Sequence, residues 1–492
     1  MFEAAEIKHK VDKATFEREE PRLRESLLAA QKALTEKKPF EVVILVAGLA
    51  GSGKGEVLAT LNEWMDPRLL ETSACDQPTD EERERPYMWR FWRALPPKGR
   101  IGTFLYSWYQ DPVSARAAGD LARPDLDQRL GEIRRFERML ADEGALVLKF
   151  WLHLSKKQQR KRLAKLEKRR ATRWRVSKAD WKEHKNYKSV VAAWRHAIRL
   201  TNQAYAPWTV VAAADPEFRV LTVTKTLRAA IEQRLAGPQE LVTITAPPPL
   251  PPVDGRRLLD AFDLSAKLGP RDYKERLATL QGRLNKLTRA KRFRERSAVF
   301  VFEGSDAAGK GGAIRRAAGG IDARFFRIVP VAAPTDEERS HPYLWRFWRQ
   351  LPRRGHVTIF DRSWYGRVLV ERVEGFADQD DWLRAYGEIN DFEEDMVRDG
   401  VILAKFWLAI SPEEQLRRFK QREDTGFKRY KIGAEDWRNR KKWDQYADAA
   451  NDMFERTSTG LAPWTIVSAE DKRYARIKVL ETMCERIEAA LG

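Results

Sequence analysis

The chain has 492 residues, with 91 Lys and Arg against 72 Asp and Glu, and a formal charge of +19. That length allows more than one core at about 150 residues per domain, and the charge points to a polyanionic partner: nucleic acid, an anionic membrane surface or a phosphate-rich molecule. Two cysteines exclude a disulfide-built scaffold, and no apolar run reaches the roughly 20 residues that a membrane-spanning helix needs.

The first residues are charged and helix-favouring rather than basic and then apolar, so no secretory signal is read there and a cytoplasmic location is expected. Residues 21–38 have the spacing of an amphipathic helix, and Val42-Val43-Ile44-Leu45-Val46 is apolar throughout, as a central parallel strand should be. This run leads into the glycine-rich turn Ala47-Gly48-Leu49-Ala50-Gly51-Ser52-Gly53-Lys54-Gly55. Pro78-Thr79-Asp80-Glu81-Glu82-Arg83 and the aromatic stretch 87–92 follow, the latter expected to pack in a core. Residues 156–188 hold 15 Lys or Arg against 3 Asp or Glu, a solvated helical face or a surface for a polyanion. The proline run 246–252 continues neither helix nor central strand and predicts a stiff linker.

The pattern then repeats. Lys310, Pro334, Trp348, Trp364, Trp407, Trp437 and Trp464 each stand 256 positions after Lys54, Pro78, Trp92, Trp108, Trp151, Trp181 and Trp208. Solenoid repeats run to only about 20–50 residues, so a repeat of this length means two homologous domains, placed at 1–240 and 256–492 with a linker at 241–255. In the second half strands are predicted at 298–302, 327–331, 357–361, 401–408 and 465–468, with helices between them, including 272–293 and 311–318. The expected fold is α/β: in each domain a parallel five-stranded sheet flanked by helices.

The second glycine loop carries the chemistry. Gly304-x4-Gly309-Lys310 follows a strand and opens a helix, the context in which successive N–H groups of Gly304, Ser305, Asp306, Ala307, Ala308 and Gly309 curl around phosphate while lysine adds a full charge. The Ser or Thr that holds magnesium in the familiar loop is replaced by Gly311, so a metal must be held otherwise. Candidates are Asp306, inside the loop, and Asp361, at the carboxyl end of a strand, where open sheets bind ligands. Arg362, Arg367 and Arg372 have the planar fork that suits phosphoryl oxygens, with a plain salt bridge the alternative for each. The first half keeps Lys54 and its glycines but has Ala47, Ala50, Leu105, Tyr106 and Asp111 where the second has Glu303, Asp306, Asp361, Arg362 and Arg367.

The order and spacing of FEGSDAAGKGG at 302–312, PTDEER at 334–339, YLWRFWRQLP at 343–352, FDRSWYGRVLVERV at 360–373, KFWL at 405–408, DW at 436–437 and APW at 462–464 resemble the polyphosphate kinase 2 family, over nearly the whole of each half. The resemblance implies a P-loop kinase-like fold with a helical lid, moving the terminal phosphoryl of inorganic polyphosphate to a nucleotide, or the reverse, with magnesium or manganese. Lys310 and the loop would grip phosphate, Asp306 and Asp361 would hold metal, and Arg362 would neutralise developing charge. Arg346, with Arg367 and Arg372, would lie near the nucleotide. A lid at about 412–442 would offer Arg417, Arg418, Arg422, Lys428, Arg429 and Lys431 to polyphosphate. Fused two-domain members resemble those that convert AMP to ADP, single-domain members more often acting on nucleoside diphosphates. Turnover is therefore expected in the second domain, with the first retained for polyanion binding or packing. The tandem is expected to replace one interface of an oligomer, with further homo-oligomerisation open. A nucleic-acid-dependent ATPase would need motor motifs that the sequence lacks, and a pure scaffold leaves the intact second loop unexplained.

Overall fold

The computed structural model describes residues 1–237, 256–426 and 432–492, so the proline run and Lys428, Arg429 and Lys431 lie outside it. The apolar runs are strands. β1 (Val42–Gly48), β2 (Leu70–Ala74), β3 (Ile101–Leu105), β4 (Leu146–His153) and β5 (Trp208–Ala212) make one sheet in the order β2-β3-β1-β4-β5. β6 (Ser297–Gly304), β7 (Phe326–Pro330), β8 (Val357–Asp361), β9 (Val401–Ala409) and β10 (Trp464–Ser468) make the other, in the corresponding order β7-β8-β6-β9-β10. Every pairing is parallel, which requires a crossover between neighbours. Both predicted sheets are thus present, with strand ends moved by a residue or two. The central strands are sealed, Val42–Val46 and 298–302 being buried on both faces.

Helix ends follow capping chemistry. The helix expected from residue 21 begins earlier, at Lys13, because the Asp12 carboxylate accepts the Thr15 N–H at 2.9 Å. Pro21 sits inside it rather than at its start. The helix Pro270–Arg289 does open on its proline. Trp89, Trp92, Trp345 and Trp348 are buried, so these aromatic stretches are core. No described helix is long and apolar enough to cross a membrane.

Each sheet carries the same buried ionic hub. In one, Lys149 Nζ lies 2.5 Å from Glu137 Oε2 and donates to the Thr201 carbonyl at 2.8 Å, while Trp108 and Tyr109 donate to Glu137 Oε1. In the other, Lys405 meets Glu393 at 2.7 Å and the Thr457 carbonyl at 2.8 Å, with Trp364 and Tyr365 on Glu393 Oε1.

The chain forms two compact units: Met1–Pro78, Arg90–Thr243 and Pro334–Trp345 in one, and Thr79–Trp89, Ile244–Ala333 and Arg346–Gly492 in the other. Each holds one sheet, yet each takes its PTDEER-containing segment from the other sequence half. In the first unit Lys98 N–H donates to the Ser340 carbonyl at 2.8 Å. In the second, Arg354 N–H donates to the Glu84 carbonyl at 2.8 Å and Tyr87 N–H to Asp399 Oδ2 at 2.7 Å.

Candidate active site

β6 and β8 are neighbours, with Phe302 paired to Asp361, so the glycine loop and the Asp361 segment leave the sheet side by side. Gly304 closes β6 at φ 137°, and a Cβ there would stand 2.5 Å from the Leu408 carbonyl oxygen, so only glycine fits. Ala307 (φ 64°) and Gly309 (φ 114°) turn the loop through left-handed backbone into the helix Lys310–Ala318. Ser305 and Ala308 lie between these turns, joined by an Ala308 N–H to Ser305 carbonyl bond of 3.1 Å.

Lys310 Nζ folds back on the loop, donating to the Gly304 carbonyl at 2.5 Å and the Ser305 carbonyl at 3.3 Å. Burial pushes its pKa down and that of the neighbouring Glu303 carboxyl up. Glu303 is anchored by the Ser363 hydroxyl at 2.8 Å. Asp306 is held from three sides. Its Oδ1 accepts from Arg362 Nη2 at 2.7 Å, its Oδ2 from Asn439 Nδ2 at 2.8 Å, and its carbonyl from Gln415 Nε2 at 3.1 Å. Arg362 sits at φ 63°, an uncommon conformation for arginine that aims it back at the loop. The Asp361 carbonyl accepts the Val331 N–H at 3.0 Å, whereas its carboxylate carries no hydrogen bond or ion pair among the described residues, and Oδ2 lies 3.9 Å from where a Gly311 Cβ would be. A carboxylate thus stands beside the position at which the familiar loop has its hydroxyl.

Glu303, Gly304, Ser305, Asp306, Arg362, Gln415 and Asn439 line one cleft together with Leu369, Val370, Trp407, Trp443, Tyr446 and Leu259. Lys310 and Asp361 are not in its wall but stand against the same loop, Lys310 on the Gly304 carbonyl and Asp361 beside Gly311, so Lys310, Asp306, Asp361 and Arg362 gather around one turn. Other expected residues are not. Arg367 pairs with Glu371 at 3.0 Å and Asp381 at 3.5 Å. Arg372 pairs with Asp452 at 2.7 Å, bonds the Tyr386 hydroxyl and covers the Trp382 ring. Both make salt bridges in this structure. Arg346 donates to the Ala332 carbonyl at 2.9 Å and is not part of the cleft wall. Arg418 corrects the lid assignment: it is buried, pairs with Glu414 and donates to the carbonyls of Ala307, Ala308, Ala469 and Glu470, so it braces the loop from behind. Arg417 is exposed in a bidentate pair with Glu414 at 2.6 Å, and Arg422 lies in the last turn of the same helix, Pro412–Asp424.

Gln415, Asn439 and Ser363 went unremarked in the sequence. For Asn439 a signal existed, since its counterpart 256 positions earlier is Glu183, a change accompanying that of Asp306 to Ala50. In the first unit Glu183 Oε1 accepts the Ala50 N–H at 2.7 Å and Gln159 Nε2 at 3.1 Å, while Lys54 folds onto the Gly48 carbonyl at 2.7 Å. A carboxylate there holds a loop N–H that phosphate would otherwise take.

Comparison with known proteins agrees with this geometry. The polyphosphate kinase 2 (PPK2) family model matches residues 10–237 and again 267–491. A polyphosphate:AMP phosphotransferase of Pseudomonas aeruginosa is 55% identical over 491 residues, covering 100% of this chain and 99% of that one. One of Pseudomonas syringae pv. tomato is 50% identical over 493 residues with the same coverage. A crystal structure from Pseudomonas aeruginosa, described as a polyphosphate kinase 2, superposes with a TM-score of 0.91 at 53% identity, covering 100% of this chain and 99% of that one. A twice-matched family model, full-length relatives and a shared two-sheet fold place the chain in the polyphosphate kinase 2 family.

Proposed function

We propose that the second unit transfers the terminal phosphoryl group of inorganic polyphosphate to AMP, giving ADP and a chain one phosphate shorter. The observation that carries this reading is the gathering of Lys310, Asp306, Arg362 and Asp361 around one glycine loop, against a first loop that lacks three of the four. AMP as acceptor is supported by the full-length relatives, both named polyphosphate:AMP phosphotransferases.

Phosphoryl transfer asks a protein mainly for positioning and charge stabilisation. An oxygen of the AMP phosphate attacks the terminal phosphorus as the bond to its bridging oxygen breaks, and the shortened polyphosphate leaves with that electron pair. The loop amides and Lys310 hold the phosphates in line. Arg362, fixed by Asp306, faces the oxygens on which charge accumulates. Lid helices over the loop exclude water, which favours transfer over hydrolysis.

Magnesium, with manganese as a substitute, suits the donors present: hard carboxylate oxygens on Asp361 and Asp306, completed by substrate phosphates. Asp306 is already hydrogen-bonded, but each carboxylate oxygen has a second lone pair. Asp361 and Asp306 would hold such an ion, and bound there it would supply positive charge against the phosphoryl oxygens. The reading also includes a cytoplasmic location, where AMP and polyphosphate meet.

The test offers AMP, ADP, GMP and GDP separately, with magnesium and long-chain polyphosphate, to the wild type and to Asp361→Ala. ADP formed from AMP, reduced by at least ~10²-fold in the variant, is the expected result. ATP formed from ADP alone would move the chain to the diphosphate class, and no product from any acceptor would refute the assignment.

A further inference from the structure

The cleft is lined by two kinds of residue. Gly304, Ser305, Asp306, Arg362, Gln415 and Asn439 are polar or charged, while Leu369, Val370, Trp407, Trp443, Tyr446 and Leu259 are apolar or aromatic. An inorganic phosphate chain has nothing to offer an apolar wall, so the second set fits the nucleoside of a nucleotide acceptor. Leu259 differs from the rest of this wall. It belongs to the short helix Leu258–Ala261, which precedes all five strands of the second sheet in the chain. Arg257 clamps this segment, pairing with Asp260 at 2.8 Å, Asp444 at 3.1 Å and Asp448 at 3.4 Å. The Leu258 N–H adds a bond to Asn451 Oδ1 at 3.0 Å. Asp444, Asp448 and Asn451 all lie on the helix Trp443–Thr457, which also carries Trp443 and Tyr446 into the cleft.

The first unit has the same device in a different state. Its short opening helix, Glu3–Glu6, is preceded by Phe2, which is buried and stacks on Trp151, the counterpart of Trp407, at 5.9 Å and on His153 at 4.6 Å. Arg195, at the position equivalent to Asn451, covers the Phe2 ring, with its guanidinium carbon 5.5 Å from the ring centre. An aromatic plug therefore packs on Trp151 in the first unit; its counterpart 256 positions on, Leu258, is exposed, and the next residue, Leu259, lines the cleft of the second.

We propose that the segment Arg257–Leu259 is a specificity element of the acceptor site, in which Leu259 forms the nucleoside wall and sets the room left for it. The inference rests on the reading of the second unit as a nucleotide kinase. Enlarging the side chain should fill the site, and shortening it should loosen the grip on the nucleoside. Either change should leave the polar set alone.

The experiment uses the full chain with Leu259→Phe, Leu259→Ala, Leu259→Met and Arg257→Ala. It measures AMP binding by calorimetry and the KM values for AMP and polyphosphate, with thermal unfolding to confirm that each variant folds. Leu259→Phe and Arg257→Ala should raise both the AMP dissociation constant and KM about 10-fold, and Leu259→Ala about 3–10-fold, the value of one partly lost apolar contact. Leu259→Met, of similar volume, should raise both by less than Leu259→Phe or Leu259→Ala does. The KM for polyphosphate should hold throughout. AMP affinity unchanged in folded Leu259→Phe and Leu259→Ala would overturn the inference while leaving the proposed function intact. A wild type that neither binds AMP nor phosphorylates it would overturn both.

Discussion

Lys405 and Glu393 face each other at 2.7 Å with neither side chain more than 1% exposed, and Lys149 and Glu137 repeat the arrangement. The low-dielectric surroundings pull the Lys405 pKa down and push the Glu393 pKa up, so each ion depends on the other. Removing one partner strands a buried charge, at a cost of about 3–5 kcal/mol. Glu393→Gln should lower the urea midpoint accordingly, whereas Lys405→Met combined with Glu393→Met should recover most of the loss. A single-variant cost below about 1 kcal/mol would show that the hub is wetter than it looks. Glu41 is the opposite case, a buried carboxyl whose oxygens have no hydrogen-bond partner among the described residues and whose pKa burial raises to about 7. A raised carboxyl pKa means the folded state holds the proton more tightly than the unfolded state. Stability from this group is therefore full below the ordinary 4.5 and is lost as pH climbs towards 7. Glu41→Gln should leave the melting temperature nearly unchanged at pH 4 and raise it at pH 8. An equal effect at both pH values would contradict this account. No sequence pattern marks Glu41, because its cost comes from what surrounds it after folding.

At the scale of elements, the loop between β6 and the helix Lys310–Ala318 was legible because glycine at positive φ, lysine and an apolar strand leave a fixed spacing in sequence. The lid was less so. Arg418 looks in sequence like any other lid arginine, yet folded it lies beneath the loop and satisfies four main-chain carbonyls. A string of basic residues does not say which of them will find carbonyls. Asn439, reaching Asp306 from the helix Ala434–Lys441, shows the converse, a neutral residue in a functional contact. Copying the first unit by Asn439→Glu should set a carboxylate against Asp306 and beside the loop amides. We expect a fall in kcat/KM of at least ~10-fold, from like-charge repulsion near the phosphate site, with the melting temperature kept within a few degrees. Wild-type turnover in this variant would show that Asn439 does not support the loop.

For the molecule as a whole, the 256-residue repeat foretold two sheets of the same topology, and the structure has them. It gave no sign that Thr79–Trp89 packs with the second sheet and Pro334–Trp345 with the first. The two segments are so similar in sequence that nothing in either marks which sheet it packs with. The repeat also shows what was kept and what was let go. The buried hub, the glycines and the lysine survive in both copies, whereas Asp306, Asp361 and Arg362 survive in one. The first loop is further closed by Glu183 on the Ala50 amide. On the proposed function, phosphoryl transfer belongs to the second unit alone. Lys310→Met and Lys54→Met test this directly, because the two lysines make matching contacts with their own loop carbonyls and differ only in the chemistry around them. ADP formation from AMP and polyphosphate should fall at least ~10²-fold in Lys310→Met and stay within about two-fold of wild type in Lys54→Met. Equal losses in both variants, with both still folded, would contradict the assignment of turnover to one loop.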